Sequence, residues 1–200
     1  KELGTGITDN FVIAGKTKLN VLSYSTDSAY GISYQASTLC ASLTDNQVYD
    51  STISIMNTYH PKLLIASFSD TDLKAHTGIW SDYITALTNV DNLIYQLWQH
   101  ILTGDYGYNS GNTTLFVTND HGRHDDLHGG FTSHGDDCEG CEHIMLLAIG
   151  RNVTQGITNS DVHYQIEIAE TIGDLLNFST PQTTGQSLFE DINPLPVELN

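Results

Sequence analysis

Four histidines and three aspartates crowd the 21 residues LFVTNDHGRHDDLHGGFTSHG, from Leu115 to Gly135. Imidazole nitrogens and carboxylate oxygens are the mixed donors that suit zinc or manganese. A second group lies earlier, in SDTDLKAHTG, where Asp72 and His76 are spaced D-x-x-x-H. That spacing lets a carboxylate at a strand end and an imidazole one helical turn later meet one cation. Asp120 and His121 are adjacent. Neighbouring side chains of a regular strand point to opposite faces, so both reach one ion only if the chain turns there. Gly122 makes such a turn plausible. His134, between Ser133 and Gly135, completes the set of candidate ligands.

Both groups follow short apolar runs. KLLIASF at 62–68 opens into the first, and TLFVT at 114–118 into the second. LNVLSY at 19–24 and IMLLAIG at 144–150 are similar: four to seven residues, apolar on both parities, then polar residues or Gly. Such runs are predicted to be strands buried on both faces of a parallel sheet. Helical patterns lie between them. From Ser81 to Leu102, Tyr83, Ile84, Leu87, Val90, Ile94, Leu97, Trp98 and Ile101 mark one amphipathic face, and Gly104 is a natural stop. A second helix is predicted over 45–59, between Thr44 as N-cap and Pro61 as terminator, and a third over 161–178. Alternating strands and helices imply one α/β domain or domain fragment over 1–200, with a largely parallel sheet flanked by helices. Ligands of such sheets bind outside the carboxyl ends of the strands, which is where the Asp/His groups lie.

Composition narrows the partners. The chain has 24 acidic and 7 basic residues, a formal charge of −17, so nucleic acid and anionic membrane surfaces are disfavoured. An acidic protein that handles an anionic substrate needs local positive charge, which bound cations can supply. No apolar run of membrane-spanning length occurs. KELGTGITDN has neither an initiator Met nor a signal-peptide core, which suggests a processed chain or a fragment. Three glycosylation sequons, at Asn112, Asn152 and Asn177, lean toward an extracellular or periplasmic setting. Three cysteines cannot all pair internally. CEGCEH, with Cys138, Cys141 and His143, is a local disulfide, a pair of plain thiols or, less favoured, part of a zinc site that lacks a fourth ligand.

SDTDLKAHTG, DYITALTNVDNLIYQLW, TTLFVTNDHGRH and SHG, in this order, resemble the alkaline phosphatase superfamily of metal-dependent phosphatases, phosphodiesterases, phosphomutases and sulfatases. The closing DVHYQIEIAETIGDLLNFSTPQTTGQSL is similar to that family's final helix, Pro and Gly-x-Ser-Leu, so the resemblance covers about 62–188. It implies a small-molecule phosphate ester as substrate and two divalent metal ions, zinc or manganese. One ion would be held by Asp72, His76 and His134, and the second by a set that includes Asp120 and His121. Two such ions, about 4 Å apart, clamp the attacking and leaving oxygens of an in-line displacement.

The family pattern also requires an Asp after an earlier strand and a Ser or Thr nucleophile. Neither is evident in this sequence, and Thr5 and Thr8 are the only early candidates. The expectation is an incomplete, C-terminal part of a longer enzyme, catalytically inert by itself. Arg123 is a candidate anion ligand. His124 and His128, with Asp125 and Asp126, line either a substrate entrance or a solvated loop. His60, His100 and His163 are expected to be structural or exposed. His121, where sulfatases carry Asn, favours a two-metal branch. The short offset of 13 positions from His121 to His134, and the HTG at 76–78, resemble phosphosugar mutases, whereas the surrounding sequence favours a hydrolase. A non-catalytic metal-binding module is the remaining alternative.

Overall fold

The computed structural model describes residue 6, residues 8–29 and residues 31–194, with the backbone alone at Ile32. The chain divides into two compact units. The first comprises Thr5–Tyr108 and His121–His143, and the second is built mainly from Asn109–Asp120 and Ile144–Asn200.

The first unit is built on three parallel strands in the order β2-β1-β3: β1 Asn10–Ala14, β2 Ser37–Cys40 and β3 Leu63–Ser67. Phe11 lies opposite Ser37 on one side and Leu64 on the other. The central strand NFVIA is apolar on both parities, and Val12, Ile13 and Ala14 are almost wholly buried, as a strand covered on both faces must be. The strand predicted at 19–24 is corrected. Thr17–Ser23 is a 3₁₀ segment, and Val21 and Leu22 remain 54% and 51% exposed. The apolar run that forms the buried strand lies just upstream, at 10–14.

Helix α1 spans Asp45–Tyr59, starting from a reciprocal capping box between Thr44 and Gln47. His60 closes it in the left-handed conformation. A short α2, Asp70–Ala75, follows β3 directly, and α3 spans Trp80–Thr103, ending at the left-handed Gly104. The buried stripe of α3 is Ala86, Leu93, Leu97 and Ile101. It is rotated from the predicted face, and Ile84 and Leu87 are exposed. Successive residues turn by about 100°, so Leu87 points well away from Ala86. His100 reaches across to Asn57 (Nε2 to Oδ1, 2.8 Å) and links α3 to α1.

The three-stranded sheet has the parallel arrangement expected of a largely parallel fold, and in the second unit β4 (Thr114–Thr118) and β5 (Leu146–Gly150) pair antiparallel. Asn119 ties the end of β4 to the start of β5 by accepting from the Met145 backbone N–H at 2.9 Å. Two of the shorter helices are α4, Glu139–Glu142 in the first unit, and α5, Ile166–Leu176 in the second. The helix predicted from Asp161 begins at Ile166. The Glu167 carboxylate accepts from the Tyr164 backbone N–H (2.9 Å) and contacts His163, which holds the preceding residues in a turn. Last is α6, Phe189–Ile192, whose Ile192 carbonyl accepts from Thr154 N–H.

Within the first unit, Asp45 joins two helix starts. Its fully buried carboxylate accepts from Ser69 N–H (2.7 Å) and Asp70 N–H (3.0 Å), and its own N–H donates to Asp70 Oδ2 (3.1 Å). Burial pushes the Asp45 carboxyl above its usual range, and the two backbone donors work against that rise. Gly15, just after β1, has no room for a side chain: a Cβ would overlap Ser69 Oγ and stand 2.8 Å from Leu43 O. Asp45→Ala leaves the two backbone donors buried and unpaired, and is expected to cost about 2–4 kcal/mol in urea unfolding. Asp45→Asn keeps an acceptor and should recover part of the loss. Equal stability of the two variants would show that these bonds do not join the helices.

Candidate metal centre

The strand ends of the parallel sheet meet at Asp72. The chain leaves β1 through Gly15 into Lys16, and leaves β3 through Ser69 into α2, whose first turn carries Asp72. The two strands are neighbours, so their following residues are brought side by side. The ammonium of Lys16 pairs with Asp72 Oδ2, and the guanidinium of Arg123 pairs with Oδ1. His76 Nε2 stands 3.2 Å from Oδ1 and His134 Nε2 3.4 Å from it. Burial would raise the Asp72 carboxyl, but the hydrogen bonds and charges of Lys16 and Arg123 outweigh it and hold the group at about 2.

The imidazoles are oriented by backbone carbonyls. His76 Nδ1 lies 2.8 Å from Thr132 O, and His121 Nδ1 lies 2.8 Å from Gly122 O. A carbonyl only accepts, so each Nδ1 donates, and in the neutral ring Nε2 is left with the lone pair. A neutral His76 would present that lone pair to a carboxylate oxygen, an arrangement that calls for positive charge between them. His121 and His134 are stacked, with ring centroids 3.7 Å apart. Burial, with His121 and Arg123 next, lowers the His134 pKa and keeps its lone pair available.

One ligand atom from each of Asp72, His121 and His134 lies within 4.8 Å of the others. Two bonds of about 2.1 Å from a common ion span about 4.2 Å, so small movements would bring the three onto one ion. A carboxylate offers about four lone-pair sites. Lys16 and Arg123 take two, which leaves room for a cation. The donors therefore fit a divalent metal.

The loop from His121 to His143 delivers three of these side chains. Its backbone crosses itself where Gly122 N–H donates to Cys141 O at 2.8 Å. A Cβ at Gly122 would overlap Gly140 O, so the glycine is required by this close approach of backbones. Phe131 packs edge-on against Trp80 (4.9 Å) and stacks on Tyr83 (5.7 Å), which fixes Thr132 O beside His76.

The predicted residues separate by position. Asp72, His76, His121, His134 and Arg123 form one cluster, and His121 stands with the residues assigned to the other ion. Asp120 is exposed at the edge of the second unit. His124 stands 3.3 Å from Asp136, and His128 bonds Asp125 at 2.7 Å. Thr5 lies outside the described residues. Thr8 sits in the turn before β1, so a five-residue strand of about 16 Å separates it from the strand ends where Lys16 and Asp72 lie. Lys16 is absent from the candidates that the sequence suggests. Its one signal is its place directly after the apolar run NFVIAG.

A parallel sheet flanked by helices, with a carboxylate, imidazoles and two cationic side chains gathered at its strand ends, defines an α/β protein with a candidate metal centre. The model of the metalloenzyme superfamily matches residues 11–179, and the chain belongs to this alkaline-phosphatase-like superfamily. The match extends the likeness back to β1. The chain is 30% identical over 150 residues to a 2,3-bisphosphoglycerate-independent phosphoglycerate mutase of Haloquadratum walsbyi. That alignment covers 74% of this chain and 28% of the relative, so the chain spans only part of that protein.

The metal-free chain should show the linkage of Asp72 to pH. Its carboxyl is depressed from 3.8 to about 2, so the stability it contributes is present above pH 4 and lost as pH falls through 2. Comparing acid unfolding of the wild type and Asp72→Asn, monitored by circular dichroism, checks this. Identical acid transitions would show that the paired carboxylate contributes nothing to the folded state.

Proposed function

We propose that this chain supplies the metal- and anion-binding part of an enzyme that transfers phosphoryl groups from small-molecule phosphate esters, with hydrolysis as the favoured outcome. The observation that carries it is the convergence of lone pairs and cations on Asp72. Asp72, His121 and His134 would hold a divalent ion, zinc or manganese, with His76 beside them. Asp120 belongs to a proposed second ion whose other ligands are not identified. When bound, the metal supplies Lewis acidity toward a phosphoryl oxygen.

The chain's own residues bind and orient. Asp72 carries one negative charge, against two positive charges from Lys16 and Arg123. A divalent cation would make the locale more positive still, and a phosphate dianion would offset the charge the cation adds. Arg123 has one terminal nitrogen on Asp72, while the other, Nη1, is buried without a hydrogen-bond partner. A buried donor of this kind favours an incoming oxyanion. Backbone carbonyls hold His76 and His121 in their tautomers, so neither ring needs to reorganise as charge shifts nearby.

Hydrolysis is supported by access to water: His76 is 45% exposed and His134 27% exposed in this chain. Phosphosugar mutation is the second reading, favoured by the relative from Haloquadratum walsbyi. The nucleophile is assigned to no described residue. An extracellular or periplasmic setting is proposed on the three sequons, whose asparagines are all exposed.

Metal binding is measured on this chain, and activity on the longest natural form that carries it. His134→Ala should weaken metal binding by more than about 100-fold, since loss of a mere orienting partner of a ligand costs about 10–100-fold. Arg123→Lys should raise KM for phosphate monoesters with less effect on metal affinity, because an ammonium lacks the planar fork. Phosphorus NMR separates released phosphate from a phosphoryl group moved within a sugar. Full activity of Asp72→Asn would sink the assignment.

A further inference from the structure

A second cluster lies on the same loop, and its chemistry differs from that of the Asp72 site. Cys138 and Cys141 are both buried and unbridged. Cys138 precedes α4 and Cys141 lies within it, so the C-x-x-C brings both thiols to one side of a single turn. Asp136 Oδ1 accepts from the Cys138 backbone N–H at 3.1 Å, and its carboxylate lies beside both thiols. His124 enters from the other limb of the loop, held by its N–H to Ser133 O (3.0 Å). Its Nε2 is 3.3 Å from Asp136 Oδ2, off the direction of a hydrogen bond, and is buried with no partner. Ligand atoms of His124, Asp136 and Cys141 lie within 4.8 Å of one another.

We propose that His124, Asp136, Cys138 and Cys141 form a structural site for a thiophilic divalent cation of the zinc type. Four donors, two of them sulfur, satisfy a tetrahedral ion with no position left for substrate. The fourth ligand that CEGCEH lacks in sequence comes from folding. His143 is the exposed C-cap of α4, and His124 and Asp136 complete the set. Binding releases the two thiol protons to solvent as two sulfur–metal bonds form. Asp125 is less suited to the role, because its Oδ1 already accepts from Leu127 N–H, His128 N–H and His128 Nδ1.

The consequence is mechanical. His124 is next to Arg123, and Asp136 is two residues from His134. An ion held by these four would tie the two limbs of the loop where Gly122 and Gly140 already touch, and would hold His121, Arg123 and His134 in place.

Cobalt(II) added to the reduced chain is the test, because sulfur ligation gives a thiolate-to-cobalt charge-transfer band that the sulfur-free Asp72 site cannot give. The expected result is one equivalent of cobalt with this band in the wild type and its loss in both Cys138→Ser and Cys141→Ser. The band should persist in Asp72→Asn and His134→Ala, whatever becomes of the proposed catalytic ion. His124→Gln, a milder change should the serine variants misfold, should weaken the band-forming affinity about tenfold or more. Cobalt uptake without the band in the reduced wild type overturns the site. So does a Cys138–Cys141 disulfide, seen as the loss of two hydrogens by mass spectrometry with no metal retained.

Discussion

The first unit is organised around one carboxylate that gathers positive charge from separate parts of the chain. Of the seven basic residues in a chain of charge −17, Lys16 and Arg123 both pair with Asp72. Burying part of a carboxylate disfavours its ionised form, and only paired cations and hydrogen bonds reverse that. The Asp72 group is held near 2, so charge pairing prevails over desolvation here. The end of β1, the first turn of α2 and the long loop are thus coupled through a single side chain.

That coupling depends on backbone features that leave little slack. Gly15 lets β1 pass Ser69, and the Asp45 carboxylate holds the N–H groups that start α2. Gly122 and Gly140 allow the two limbs of the loop to touch main chain to main chain. Aromatic packing of Phe131 on Trp80 and Tyr83 then sets the carbonyl that orients His76. Each contact fixes a side chain through a neighbour with few rotamers, which is how donors come to be poised before a ligand arrives.

Under the proposed phosphoryl transfer, acidity and anion handling are reconciled by locality. A −17 chain repels phosphate at long range, but screening limits that repulsion to about 8–10 Å at physiological salt. Inside that distance the balance would be set by Lys16, Arg123 and a bound cation. The same loop carries two donor sets of different softness, imidazole and carboxylate around Asp72 and sulfur around Cys141.

By itself the sequence determined several of the periodic elements and the residue types of the candidate site. TLFVT and the helix over 45–59 are found at their predicted limits, because apolar runs and capping residues act locally. D-x-x-x-H and DHGRH likewise marked Asp72, His76 and His121 through strand-end placement. The tertiary structure decided what distance in sequence conceals. LNVLSY and NFVIA look alike in composition, and only sheet pairing with β2 and β3 selects the second as the central strand. Lys16 meets Asp72 across 56 positions, a contact made by strand neighbourhood and by no local pattern. His121 joins His134 and Asp72, and His124 joins the C-x-x-C, because the loop folds back on itself. Side-chain types are local and can be read along the chain, whereas which donors converge depends on the close approach of backbones remote in sequence.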